Sequence, residues 1–219
     1  MDKDGTTALP ELTAASLPDW LPAAVRHYLD HTEEGTSLRE LARREGLHAS
    51  TILRQVRRYE NRRDDPLMDE ALAAVSRLVP RSVGDPDQKD DPSMTAHTPL
   101  PELCDPQLLV REGRRILRRL AESGAVMAIA PEMEKAAVLR EFPDGRSMRT
   151  AVLDRPVAQA FILKDWISCR KAGRVSTYEI TSAGRAAKKA MIDDEDRRRH
   201  GMNKAAANFC DHDRDRGER

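Results

Sequence analysis

A proline-rich stretch, residues 80–102, places the strongest constraint on how this 219-residue chain can fold. It holds five prolines among Asp, Ser and Thr residues, and its large apolar side chains are limited to Val83, Met94 and Leu100. Such a segment cannot bury enough apolar surface to offset the entropy lost on ordering. We therefore predict a flexible linker at 80–102 between two domains, 19–79 and 103–192. A disordered leader is expected at 1–18 and a charged, disordered tail at 193–219.

The charge of the chain is balanced overall but unevenly distributed. The chain contains 37 Lys and Arg residues and an equal number of Asp and Glu residues, yet residues 36–63 contain eight Arg and only three acids. Residues 106–124 contain five Arg and two Glu. Arginine presents a planar fork of donors that suits phosphates and guanine edges, so these segments indicate a polyanionic partner. The alternative is that both are ordinary solvated helix faces.

Two other features of the composition narrow the class of protein. No apolar run approaches the ~18 residues that a membrane helix needs, so no membrane association is expected. The three cysteines are scattered and odd in number, which fits a reducing cytoplasm. No phosphate-binding loop, dinucleotide fingerprint, zinc-protease or serine-hydrolase motif occurs, so neither an enzyme nor a cofactor is expected. Cys210, Asp211, His212 and His200 lack the paired spacing of a metal site, and no metal is predicted.

Apolar residues at helical spacing predict four helices in the first domain, at 20–30, 38–45, 49–59 and 66–79. In the second domain we predict a helix at 106–123 and a strand at 125–130. Strands at 134–141 and 149–153 are predicted to form a hairpin, because Pro143, Asp144 and Gly145 between them are typical of a turn. These elements are followed by a helix around 157–163, a second hairpin of strands at 167–170 and 175–180, and a final helix from 182 to about 192. The predicted fold class is mainly α with a small α+β part.

Residues 37–59 carry the most specific pattern in the sequence. Ala42 is small enough for a second helix to approach closely, Gly46 permits the positive φ of a sharp turn, and Ile52 can fill the space between two helices. This segment resembles the bacterial helix-turn-helix family of DNA-binding proteins. Gln55 occupies a position that is usually apolar in that family, and Val56 takes its place. The resemblance implies a helix-turn-helix bundle whose second helix enters the major groove.

The same resemblance implies two sets of DNA contacts. The candidates for base contacts lie at the start of the second helix: His48, Ser50, Thr51, Arg54 and Gln55. The candidates for phosphate contacts are the arginines around them: Arg43, Arg44, Arg57, Arg58, Arg62 and Arg63.

Residues 166–191 resemble the wing and closing helix of a winged helix. The resemblance rests on an apolar strand, a glycine turn, a strand that contains Tyr178 and Ile180, and the sequence around Gly184. It implies a winged-helix-like second domain, whose helix at 157–163 is mostly apolar and offers little to phosphates. Contacts with DNA or a partner protein would then come from one of two surfaces. The wing offers Arg170, Lys171 and Arg174, and the helix at 106–123 offers Arg111, Arg114, Arg115, Arg118 and Arg119.

Further blocks extend over both halves of the chain: GLHASTILRQVRRYE at 46–60 and MEKAAVLRE at 133–141, followed by VAQAF, DWI and YEIT. Through these blocks the chain as a whole resembles alphaproteobacterial helix-turn-helix regulators related to activators of gene-transfer-agent or prophage-like gene clusters. This implies a cytoplasmic, nucleoid-associated transcriptional regulator that binds double-stranded DNA at promoters and contacts RNA polymerase, and it allows a homodimer. One alternative is a protein–protein adaptor for RNA polymerase or a sigma factor, with the helix-turn-helix as a scaffold. Another is a phage-type recombination or replication accessory protein.

Overall fold

A computed structural model of the protein describes residues 17–79 and 103–214, with side chains up to residue 200. These residues contain seven helices and one five-stranded antiparallel sheet, so the fold is mixed α and β. They form two compact units: residues 17–59 with 72–79, and residues 60–71 with 103–214. The predicted linker at 80–102, and all but the last two residues of the predicted leader, lie outside the described residues.

The first unit is built from three helices and the second half of a fourth. They are α1 (Ala23–Thr32), α2 (Leu38–Glu45), α3 (Ala49–Glu60) and α4 (Pro66–Ser76). The periodicity predicts all four, although α1 starts after Pro22 rather than at Trp20 and α4 ends before Val79. The buried face of this unit is the predicted apolar one: Val25, Tyr28, Leu29, Leu41, Ile52, Val56 and Tyr59.

The second unit is organised around a single sheet. Its strands are β1 (Ala125–Ile129), β2 (Lys135–Glu141), β3 (Ser147–Asp154), β4 (Ile167–Lys171) and β5 (Ser176–Ile180). The two predicted hairpins, β2–β3 and β4–β5, are confirmed. β1 pairs with β2 on one side and with β5 on the other, which gives the order β3-β2-β1-β5-β4. One central strand therefore joins both hairpins into one sheet.

Two helices contribute buried apolar side chains to the core of this unit. α5 (Pro106–Leu120) is capped by Asp105, whose carboxylate accepts a hydrogen bond from the Leu108 N–H at 2.9 Å. α6 (Arg155–Leu163) connects β3 to β4, and every residue from Val157 to Leu163 is buried. The rings of Phe161 and Trp166 meet edge to face, 5.2 Å apart. From Val157 to Leu163, α6 is therefore a core helix.

Residues 60–71 are anchored in the second unit by polar contacts. The Tyr178 hydroxyl donates to the Asp65 carboxylate at 2.8 Å, and Asp65 also accepts from the Leu67 N–H at 3.1 Å. Glu70 pairs with Arg155 and accepts from Gln159 Nε2 at 3.0 Å. The first half of α4 therefore belongs to this unit, although it precedes the predicted linker.

The last helix, α7 (Ser182–Arg214), continues past the end predicted near Ile192. Residues 193–200, expected to be a disordered tail, are helical, and their charged side chains pair at helical spacing. Arg198 pairs with Asp194 at 2.9 Å and Arg199 with Glu195 at 2.7 Å, each four residues away. Such pairs support a helix. Asp194 and Glu195 also face Arg114 and Arg118 of α5.

No helix in the described ranges is both long enough and apolar enough to cross a bilayer.

Candidate nucleic-acid interface

A tight turn fixes the relation between α2 and α3. The Ser37 hydroxyl caps α2 by accepting from the Glu40 N–H at 3.3 Å. Gly46 ends the helix in the left-handed region, with φ +64°, and the Leu47 N–H donates to the Ala42 carbonyl at 2.9 Å. A Cβ at Gly46 would meet no atom within 4 Å, so the backbone angle alone favours glycine. Ala42 and Ile52 are both buried, as their spacing predicts.

The exposed side of α3 is basic. Arg54 lies about 200° around the helix axis from the buried Ile52, because a helix turns about 100° per residue. Its Nε–H donates to the Ser50 carbonyl at 3.3 Å, and neither Arg54 nor Arg57 has a carboxylate partner among the described residues. Arg58 is also exposed on this helix. The guanidinium groups of Arg54 and Arg57 keep their charge available to an external anion.

The other predicted phosphate contacts divide into exposed and paired groups. Arg43 is exposed and has no carboxylate partner in the described part of the chain. Arg44 pairs with Asp30 of α1, and its Nε–H donates to Glu45 at 3.1 Å. The hydrogen bond to Asp30 raises the pKa of Arg44, and the bond from Arg44 lowers the pKa of Glu45. Arg44 is therefore largely neutralised within the protein.

Arg62 and Arg63 follow α3 and are engaged within the second unit. Arg62 pairs with Asp165, whose backbone has a positive φ of 55°. Arg63 donates to Asp69 at 2.9 Å. Both side chains that were expected to track phosphates thus already have carboxylate partners.

The start of α3 exposes small polar groups. The His48 ring nitrogen Nδ1 lies 2.8 Å from the Ser50 hydroxyl and accepts from the Ser50 N–H at 3.3 Å. His48 and Ser50 are exposed, whereas Thr51 is half-buried. His48 and Ser50 therefore bond to each other at the helix start, beside the exposed Arg54.

Gln55 has an inward partner that the sequence does not predict. Its Oε1 lies 2.7 Å from Nδ1 of His27, and the other ring nitrogen of His27 lies 3.7 Å from Glu45 Oε2. His27 is only 3% exposed. It lies off the apolar stripe of α1, so the periodicity gives no signal of its burial. Val56 is buried, as expected from its replacement of Gln55 in the pattern.

The residues proposed for the wing lie at the β4–β5 turn. Lys171 and Arg174 are exposed and lack a carboxylate partner within the described ranges. Arg170 faces Glu141, with 3.5 Å between Nη1 and Oε2. Val175, at the same turn, is 49% exposed.

The arginines of α5, by contrast, are all paired. Arg111 and Arg115 face Glu112, Arg119 faces Glu122, and Arg115 also donates to the Val152 carbonyl at 2.6 Å. Arg114 and Arg118 face the acids of α7 at 3.7 and 3.3 Å. The positive segment at 106–124 is therefore balanced by nearby carboxylates.

Among the residues described, no group of three or more His, Cys, Asp or Glu side chains could hold a metal ion. Comparison of the chain with protein-family models, with curated proteins and with solved structures finds no match in any of the three.

Proposed function

We propose that the protein is a sequence-specific DNA-binding transcriptional regulator in which α2, the turn at Gly46 and α3 form a helix-turn-helix. The observation that carries the proposal is the exposed side of α3. Arg54 and Arg57 project there without carboxylate partners in the described chain, opposite the buried stripe of the same helix. An unpaired arginine on a rigid helix is suited to a guanine edge or a phosphate.

In this proposal α3 lies in the major groove, with its first turns toward the base edges. Arg54 is the main candidate for a base contact, with His48, Ser50 and Thr51 beside it. Arg43 and Arg57 contact phosphates on either side, and Arg58 extends the same basic helix. Arg44, Arg62 and Arg63 would contribute less, because an internal ion pair must break before each can bind a phosphate.

The regulator would act at promoters in the cytoplasm, on the nucleoid, and it could bind as a homodimer and contact RNA polymerase. A winged-helix-like role for the second unit would use the turn that carries Lys171 and Arg174. The adaptor alternative has less support, because the arginines of α5 that favoured it are paired with Glu112, Glu122 and the acids of α7.

The test begins with selection of a preferred sequence from random DNA by the full chain. Arg54→Ala should then lose about 1–3 kcal/mol of binding to that sequence and relax the base preference at one position. Arg57→Ala should weaken all sequences alike and reduce the dependence of log K on log salt by about one unit. Arg111→Ala is the matched control, because Arg111 is exposed but lies on α5 beside Glu112.

Affinity measured by fluorescence anisotropy at several salt concentrations separates these outcomes. The proposal is refuted if no sequence is enriched. It is also refuted if Arg54→Ala and Arg57→Ala bind the enriched sequence as tightly as the Arg111→Ala control.

A further inference from the structure

A cleft of about 560 Å³ lies beside the sheet of the second unit. It is lined by the end of α5 and the turn that follows, by residues of β1, β4 and β5, and by the first turn of α7. Leu120, Val126 and Ile180 form its apolar wall, and these residues are 1%, 3% and 7% exposed. Because all three belong to the core, the wall is in place before any ligand binds. The volume falls in the range of ~300–1,000 Å³ that is typical of small-molecule sites.

The turn between α5 and β1 forms one rim of this cleft and is held tightly against β2. The Glu141 N–H donates to the Gly124 carbonyl at 2.8 Å. A Cβ at Gly124 would overlap the Glu141 carbonyl oxygen, so a larger residue could not make this approach. Ser123 lies on the same rim. The rim is therefore positioned by the sheet and needs no ligand to order it.

Four charged side chains line the cleft, and two of them already have partners. The two carboxylate oxygens of Glu122 each face a guanidinium group, from Arg119 at 3.1 Å and from Arg140 at 3.3 Å. Arg170 faces Glu141 at 3.5 Å. The charges of Glu122 and Arg170 are thus balanced by neighbours within the protein.

Glu179 and Arg185 are the remaining two charged side chains of the lining. Both are exposed, and neither has a hydrogen-bond or ion-pair partner for its side chain among the described residues. They do not pair with each other either, so more than 4 Å separates their charged groups although they line the same cleft. One unpaired carboxylate and one unpaired guanidinium group therefore face a shared space beside an apolar wall.

We propose that this cleft binds a small zwitterion of the class of free α-amino acids that have an apolar side chain. The ligand carboxylate contacts Arg185, whose planar fork suits a carboxylate, and the ligand ammonium donates to Glu179. The apolar side chain lies against Leu120, Val126 and Ile180. Because Glu179 and Arg185 are exposed, changes of rotamer let them close on a ligand of this size. All these residues belong to the second unit, so the proposal does not depend on the function proposed above.

Binding can be measured by NMR of the ¹⁵N-labelled full chain, with each of the common L-amino acids added in turn to about 10 mM. An amino acid with an apolar side chain should shift the backbone N–H signals of Ser123, Gly124 and Val126 along one binding curve. The N-acetyl derivative of that amino acid lacks the ammonium, and its amide lacks the carboxylate. At about pH 6.5, where the amine of the amide is charged, both derivatives should bind about three- to tenfold more weakly, which is the worth of one charged hydrogen bond in a partly exposed site.

Two variants identify the contact that each derivative loses. Glu179→Gln should weaken binding of the amino acid about three- to tenfold and leave binding of the N-acetyl derivative unchanged. Arg185→Gln should weaken binding of the amino acid to a similar extent and leave binding of the amide unchanged. Neither substitution removes a contact of the described chain, so both variants should fold as the wild type does. Lys189→Gln is the matched control, because Lys189 is exposed on α7 but does not line the cleft.

The proposal is overturned if no amino acid shifts these signals, or if both derivatives bind as tightly as the amino acid itself. Equal affinities of Glu179→Gln, Arg185→Gln and Lys189→Gln for the amino acid also overturn it. A further loss of affinity for the N-acetyl derivative in Glu179→Gln would show that Glu179 does not contact the ammonium.

Discussion

The contact between Asp65 and Tyr178 joins residues that are 113 positions apart, and removal of one oxygen atom tests it. Tyr178 is fully buried and Asp65 is 9% exposed. The hydroxyl donates to the carboxylate at 2.8 Å, and the remaining donors on the same oxygen are the Leu67 and Met68 N–H groups at 3.1 and 3.5 Å. Tyr178→Phe leaves the ring in place and removes the shortest of these three bonds.

We expect Tyr178→Phe to lower the free energy of unfolding by about 1.5–3 kcal/mol, the range for a hydrogen bond to a charged group. Asp65→Ala should cost more, roughly 2–5 kcal/mol, because it removes the cap of α4 and also leaves a buried hydroxyl without an acceptor. Urea unfolding followed by circular dichroism measures both values. Val175→Ala is the control on the same hairpin, and its exposed position predicts a change within about 0.5 kcal/mol.

The pH dependence gives an independent check of the same contact. Burial, followed by the hydrogen bond to Asp65, raises the pKa of the Tyr178 hydroxyl. A group whose pKa is raised in the folded state contributes its full stabilisation at pH values below its unfolded pKa, which is about 10 for tyrosine. This contribution decreases as the pH rises beyond that value. The difference between wild type and Tyr178→Phe should therefore shrink above about pH 10. A cost below about 0.5 kcal/mol at neutral pH, or equal costs for Tyr178→Phe in the wild type and in Asp65→Ala, would refute the contact.

Two further predictions concern the second unit. Truncation after Ile192 removes the acids that face Arg114 and Arg118. The free energy of unfolding should therefore be about 0.5–1.5 kcal/mol lower than in a chain truncated after His200. Equal urea midpoints for the two chains would contradict this ion-pairing. Burial raises the pKa of Cys104 to about 11, so in a Cys169→Ser, Cys210→Ser chain a disulfide reagent at about pH 8 should modify this thiol only on unfolding. The contribution of the buried Cys104 thiol to the free energy of unfolding should be complete below about pH 8.5 and should decline as the pH approaches 11. Rapid modification of the folded chain would show that Cys104 is not buried.

The sequence predicts the local elements of this fold well, because their signals lie within a few residues. Ser37, Gly46 and Asp105 mark helix ends at which the backbone and caps can be read from residue type alone. The turn of β2–β3 follows in the same way from Gly145, whose φ of +81° suits glycine. Periodicity also identifies the buried residues of α3, including Val56.

The sequence does not reveal contacts between distant residues. Nothing local indicates that β1 would lie between the two hairpins, or that Asp65 would accept from Tyr178. The composition does not predict the extension of α7, because a run of mixed charges is also typical of a solvated tail. Its partners on α5 lie about eighty positions earlier, and composition does not contain that pairing.

Contacts between distant residues also determine which basic segments can bind an anion. By sequence, residues 36–63 and 106–124 both carry an excess of arginine. In the structure, Glu112, Glu122, Asp194 and Glu195 balance the second segment, whereas Arg43, Arg54 and Arg57 in the first lack carboxylate partners within the described chain. An arginine already bound to a carboxylate gains little from a phosphate, because one ion pair replaces another. A free arginine gains the full contact and releases a condensed counterion from the DNA. Unpaired charge, rather than arginine content, is therefore the reason that the proposed DNA contact is placed on α3 and not on α5.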